Sequence, residues 1–373
     1  MITPSVRPHD NHEDPARRRP GGPAVAGYYP AVLPDRHVPL PPGTAGTPAA
    51  TLTTGIAAWV DSEPVRDLVH AFGGRCPEGD LTGTLSWLDD FSAEHWDFRG
   101  GRERPDAREP DLAPRTVELV LAAARSLGMV EPAPPPHRVY QHLIVLGGLA
   151  HACLRRTGYA AHLLRSGLTV TGEVAVLGSF RPLTPAEQGN LATIDMTGCA
   201  TEVDVLDTAV RLTFGHATPT ESDGEDFSDE DTGTDAEPHC SWSVRSYLDD
   251  AGPPVRVLAA PSSEPAVRRA HTADTQRFWA GQARLSPGDR VLMVTAPIYV
   301  PFQHCDAVRT LGLPYGCGID TVGVDPALTV APLPEPTLTA GRYLQELRSA
   351  IRSMRALHSS IVSGPPVGDT LRR

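Results

Sequence analysis

The stretch VYQHLIVLGG, residues 139–148, decides the fold class. Its apolar run is of strand length, rich in Val, Ile and Leu, and stops at two glycines, as a strand buried on both faces does. The residues that follow, ACLRRTGYAAHLLRSG (152–167), carry apolar positions at helical spacing. A buried strand feeding a helix predicts a βαβ unit, and the same alternation recurs downstream. EVAVLG (173–178) and ATEVDVLDTAVRLTFG (200–215) form a second strand and helix, and PVRVLAA (254–260) and PAVRRAHTADTQRFWAGQA (265–283) a third pair. RVLMVTA (290–296), VPFQHCDAVRTLG (300–312) and GIDTVGV (318–324) complete the series. The pattern predicts an α/β domain over 136–330, with a doubly wound, mostly parallel five-stranded sheet of Rossmann-like character.

Upstream, the pattern is helical. IAAWV (56–60), VRDLVHAF (65–72) and LSWLDDF (85–91) are short amphipathic pieces. PRTVELVLAAARSLGMV (114–130) is a longer helix, with Pro114 placed for its first turn. The proline cluster EPAPPP (131–136) closes this helical region, 51–135. Residues 1–50 are rich in Pro, Gly and Arg, lack periodicity, and read as a disordered tail. At the other end, TAGRYLQELRSAIRSMRALHSSI (339–361) is one amphipathic helix inside a C-terminal segment 331–373. It reads as covering a sheet edge with its arginines in water, a tRNA contact being the sharper alternative.

Charge and composition narrow the function. The 373 residues carry a net charge of -12, which makes nucleic acid an unlikely partner. Nine acids and no base fall in ESDGEDFSDEDTGTDAE (221–237), which predicts a disordered acidic insertion at 219–238. Its spacing does not meet that of a calcium loop. The sequence contains no lysine, which excludes pyridoxal phosphate and Schiff-base chemistry and the phosphate-loop lysine. Six scattered cysteines without a C-x-x-C pair suggest neither zinc nor a disulfide framework. The first twenty residues hold no apolar core, and no run reaches the roughly 18 apolar residues of a membrane span. The chain therefore reads as a soluble cytoplasmic protein without membrane contact.

In a parallel sheet, ligands bind beyond the carboxyl ends of the strands. That rule selects Gly147 and Gly148 after the first strand, Ser179 and Arg181 after the second, Ser263 after the third, and Thr295 and Tyr299 after the fourth. Arg181 is the one basic group among these strand-end residues and the expected anion contact. Asp274 and His271 lie three apart, on one face of the third helix, as an acid/base pair would. Glu202 opens the second helix, where an acid also favours the positive helix end.

These elements together resemble the YdcF/SanA/ElyC group. LIVLGG (143–148), LGSF (177–180), the Glu202 of TGCATEVDVL, SSEPAVRRAHTADTQ (262–276) and VTAPIYVPFQ (294–303) follow that group's motifs in order. The group's His and Arg after the fourth strand are replaced by Tyr299 and Phe302. The resemblance implies a nucleotide-like or S-adenosylmethionine-like ligand, with Thr272 joining the ligand contacts and, in some relatives, a link to the cell envelope. The expectation is a biosynthetic enzyme that needs no metal and transfers a group to a small-molecule substrate. Glu202, Asp274, His271 and Tyr299 would carry its chemistry. The alternative is a non-catalytic relative that binds a ligand or a protein.

Overall fold

The computed structural model describes residues 37–98, 110–227, 238–248, 252–329 and 333–364. All of them belong to one compact unit, Arg36–Arg373. Four helices come first: α1 (Ala49–Val60), α2 (Glu63–Ala71), α3 (Leu81–His95) and α4 (Pro114–Ser126). The alternating part then runs β1 (Val139–Leu146), α5 (Ala150–Arg165), β2 (Thr169–Gly178), α6 (Pro185–Ala192) and α7 (Glu202–Phe214). It continues with β3 (Glu221–Glu225), β4 (Trp242–Tyr247), β5 (Val255–Ala259), α8 (Thr272–Gln282) and β6 (Arg290–Thr295). After α9 (Val300–Ala307), a π-helical stretch, Val308–Gly312, leads into the single turn α10 (Leu313–Tyr315). β7 (Gly318–Gly323) and the long α11 (Ala340–Ser363) follow.

The sheet has seven strands, not five, in the order β3-β4-β5-β2-β1-β6-β7. The five anticipated strands pair in parallel, with β1 between β2 and β6. The two additional strands are antiparallel, β4 on β5 and β3 on β4. β3 corrects the reading of 219–238 as wholly disordered, because ESDGE pairs along its length with β4 although all five of its residues are exposed. Its acids face water, and a Cβ at Gly224 would crowd the Trp242 carbonyl, so glycine permits the close approach. Residues 228–237 lie outside the described residues.

Side-chain alternation sends successive strand residues to opposite faces. Leu143 and Val145 of β1, with Leu292 and Val294 of β6, pack in one buried cluster with α5 and α7. Ile144 and Leu146, with Val291 and Met293, join the other cluster, which contains α8, α9 and α11. The N-terminal helices contribute Ile56, Trp59, Leu68, Leu88 and Val120 to that second cluster. Their core is therefore continuous with one face of the sheet.

Two further readings are corrected. The disordered tail does not extend to residue 50: Ile319 of edge strand β7 donates to the Gly43 carbonyl (2.7 Å), and Val38 donates to the Ser126 carbonyl (2.8 Å). Buried His304 holds this segment too, donating from Nε2 to the Pro41 carbonyl (2.9 Å) and accepting from Thr321 at Nδ1 (3.3 Å). Residues 1–36 lie outside the described residues. Nor does α11 merely cover an edge with solvated arginines. It is packed between α9 and the N-terminal helices, with Leu344, Leu347, Ile351 and Met354 fully buried. Arg348 pairs with Asp97 (3.3 Å) and Arg355 with Asp89 (2.6 Å). The charges expected in water tie α11 to α3 and the residues that follow it. Among the described residues, no helix is long and apolar enough to cross a membrane.

Candidate functional site

A cavity of about 820 Å³ opens at the carboxyl ends of β1, β2 and β6. It is lined by Gly147 and Gly148 after β1, Ser179 and Arg181 after β2, Glu202 at the head of α7, and Arg268, Arg269, His271 and Thr272 leading into α8. Tyr299, Phe302 and Gln303 come from α9 and the turn before it, and Arg342 and Glu346 from α11. Most of the residues selected by the strand-end rule thus meet around one space. Asp274, Ser263 and Thr295 do not line it.

Glu202 is a buried carboxylate of this cavity, 7% exposed, as is Glu346 of α11 at 4%. The Thr201–Asp204 capping box starts α7 beside the ends of β1 and β2 and fixes its first turn there. Ser179 donates to Glu202 Oε2 (2.8 Å). A Cβ at Gly147 would overlap Glu202 Oε1, and one at Gly178 would crowd Leu206 and reach the Glu202 side chain. Burial raises the Glu202 carboxyl above the ordinary carboxylate range, against the pull of Arg181, Ser179, Arg269 and the Gly148 amide. A carboxyl so placed can carry a proton nearer to neutral pH than a solvated one.

Arg181 lines the cavity, but its charge is already matched. Its guanidinium forks onto Glu187 of α6 (2.9 Å to each oxygen) and donates to the Gly148 carbonyl (2.9 Å). Glu187 accepts in turn from the Thr184 amide (3.0 Å) and from the Ala150 amide (2.9 Å), so one carboxylate serves the N-termini of both α6 and α5. Burial works against the ionised form of Glu187, yet the Arg181 fork and these amides win, and its pKa falls to about 2. Arg156, 3% exposed, donates to the Leu146 carbonyl (2.8 Å) and to that of Gly147. Its guanidinium also lies 5.6 Å from the centre of the Tyr299 ring.

Asp274 and His271 do share a helix start, but as a cap. Asp274 Oδ2 accepts from the His271 amide (3.0 Å), and His271 Nδ1 accepts from the Asp274 amide (3.3 Å). The Asp274 side chain is 2% exposed and receives Arg268 Nη1 at 2.6 Å. Burial is outweighed by the bonds from Arg268, Ser263 and the His271 amide, and the carboxyl is lowered. Its role is to hold Arg268 at the cavity rim, where Arg268 also donates to Ser263 (2.9 Å). Thr295 is fully buried at the end of β6, and its hydroxyl lacks a hydrogen-bond partner among the described residues.

Sequence reasoning missed Arg156, Arg268, Arg269, Gln303 and Arg342, although helix faces could have found several of them. Ala152 and Arg156 follow an i, i+4 line down α5, and Arg342 and Glu346 form another on α11. His151 also lines the cavity, its pKa lowered by burial and by Arg156. Among the described residues, no cluster of three or more His, Cys, Asp or Glu side chains is arranged to hold a metal.

Comparison with known proteins corrects the resemblance to the YdcF/SanA/ElyC group. The family model that matches is the Rv3785 N-terminal domain, over residues 43–128, the region of α1 to α4. The protein Rv3785 of Mycobacterium tuberculosis (strain H37Rv) is 30% identical over 356 residues, which cover 88% of this chain and 96% of that relative. Mb3814 of Mycobacterium bovis and MT3893 of M. tuberculosis (strain CDC 1551) match to the same extent, and all three are described as uncharacterized. No solved structure matches. A glycine after a strand and an acid in a first helical turn are what parallel α/β packing itself asks for, so short motifs of that kind recur without kinship. An alignment over 88% of this chain does not have that weakness, and the chain belongs to the Rv3785 family.

Proposed function

We propose that this protein is a Rossmann-like, cytoplasmic enzyme that binds an adenosyl or nucleotide-like ligand at the strand ends and transfers a group to a small-molecule substrate. The observation that carries the reading is Glu202, a buried carboxyl with a raised pKa, set with Ser179 in the wall of an 820 Å³ cavity that also presents arginines. Arg342 reaches that cavity without an ion-pair partner among the described residues and supplies the cation for an anionic group. Holding two ligands in one enclosed space provides much of the rate of a transfer reaction. Glu202 then gives or takes the proton at the reacting atom, with Ser179 fixing the orientation of its carboxyl.

Thermal melting of the full chain tests this reading. A ligand that binds only the folded state at a hundredfold excess over its dissociation constant stabilises by about 2.7 kcal/mol. S-adenosylmethionine, S-adenosylhomocysteine or a common nucleotide should raise the melting temperature, and melting unmoved by all of them refutes the reading. A second reading, ligand binding without turnover, draws support from Arg181 and Asp274, whose charges are already matched within the protein. Under that reading the ligand stabilises the protein but is recovered unchanged after incubation with candidate acceptors.

A further inference from the structure

The turn into α9 and the helix itself set Tyr299, Phe302, Gln303 and Asp306 along one cavity wall, at helical spacing of three, four and seven. Asp306 is engaged, accepting from Arg309 (3.1 Å) and Ser353 (3.0 Å). Gln303 is different. It is 5% exposed, its Oε1 is shut off from water, and no hydrogen bond from the described residues reaches that oxygen. Leaving a buried carbonyl unpaired destabilises the protein, whereas an apolar side chain of similar size would pack there without that cost. Gln303 lines the cavity, so a turn of its carboxamide about the terminal bond brings this sealed oxygen to a donor that arrives with the ligand.

A carboxamide offers an acceptor and a donor side by side in one plane. Its complement is the edge of a nucleobase, where an N–H lies beside a ring nitrogen or a carbonyl. Phe302 and Tyr299 flank Gln303 on the same wall and give a flat ring a face to lie against. We propose that Gln303 is the specificity-determining residue of this cavity, its carboxamide pairing with the N–H edge of the ligand's base while Phe302 supports the ring. The proposal rests on the nucleotide-like ligand inferred above.

The test is calorimetric titration of the full chain with AMP, GMP and ribose 5-phosphate, the last carrying the anion without a base. The native protein should bind AMP or GMP about ten- to a hundredfold more tightly than ribose 5-phosphate, and the preferred nucleotide identifies the base. Gln303→Leu should remove the preference between AMP and GMP and weaken the preferred nucleotide about tenfold, keep the part of the gain over ribose 5-phosphate that Phe302 supplies, leave ribose 5-phosphate binding unchanged, and raise the melting temperature of the ligand-free protein. Gln303→Met, closer in length, serves the same comparison should the leucine variant not fold. Equal binding of all three compounds by the native protein overturns the role of Gln303 while leaving an anion site standing. A preference between AMP and GMP that survives in both variants overturns it as well. Absence of binding by any of the three removes this proposal, and melting unmoved by S-adenosylmethionine and nucleotides removes the nucleotide-like ligand itself.

Discussion

Replacing Glu187 by glutamine removes one charge from the lock between α5, α6 and Arg181 while keeping the shape of the side chain. The carboxylate is 8% exposed, forks with Arg181 at 2.9 Å and caps two helices. Its pKa falls from an ordinary 4.5 to about 2, which corresponds to about 3 kcal/mol of stability. Breaking a buried ion pair from one side costs about 3 to 5 kcal/mol, in agreement. The amide still accepts one bond, so the lower figure applies. A depressed carboxylate contributes stability above its unfolded pKa and loses it as pH falls through the folded value. Equilibrium urea unfolding at pH 7 should therefore show the native protein about 3 kcal/mol more stable than Glu187→Gln, and the gap should shrink to roughly half by pH 3. Arg181→Met combined with Glu187→Leu should recover much of the loss, because neither partner then remains as a buried unpaired charge. A gap under about 0.5 kcal/mol at pH 7, or one that does not change between pH 7 and pH 3, refutes the lock.

Two other substitutions separate chemistry from support. Glu202→Gln should abolish group transfer and also raise stability at pH 8 more than at pH 4, because a carboxyl with a raised pKa contributes stability below its unfolded value that is lost as pH rises through the folded one; a pH-independent difference in unfolding midpoints contradicts the burial argument. Asp274→Asn should cost about 1 to 3 kcal/mol in urea unfolding by weakening the buried bonds to Arg268 and the α8 cap, and unchanged stability with lost ligand binding would return Asp274 to a direct role.

Most of the parallel strands were legible because they are apolar runs, largely buried on both faces; edge strand β7, GIDTVG, was legible from its place in the alternation. LIVL and VAVL could hardly be anything else. Glu202 was legible as the acid that opens a helix, and α7 starts beside the strand ends, which carries that first turn to the cavity. The β3-β4 hairpin was not legible. ESDGE has poor strand propensity, and only the neighbouring edge of β5, extended by β4, makes pairing worthwhile. The partners of Arg348 and Arg355 are also hidden, because Asp97 and Asp89 lie some 250 residues away in sequence and nothing local marks them. Gln303 shows the same limit at the site. A glutamine on a helix is unremarkable until its surroundings reveal an acceptor that nothing meets.

The glycine pair after β1 teaches the most, because it lines the cavity while the protein's own side chains occupy its surroundings. The strand-end rule selected Gly147 and Gly148 as places where a ligand would bind. The room at Gly147 is taken by Glu202, whose carboxylate lies where a Cβ would stand. Arg156 takes the Leu146 and Gly147 carbonyls, Arg181 takes that of Gly148, and Glu187 takes the Ala150 amide at the start of α5. A ligand phosphate placed there would have to displace a carboxylate whose pKa is already held near 2. A helix N-terminus satisfied by the protein's own anion offers an incoming anion little. On the proposed reading, an anionic ligand therefore draws its binding energy from the opposite wall, where α9 and α11 present Gln303 and Arg342, and variants at those two positions should change ligand affinity more than any change at the glycines that leaves the fold intact.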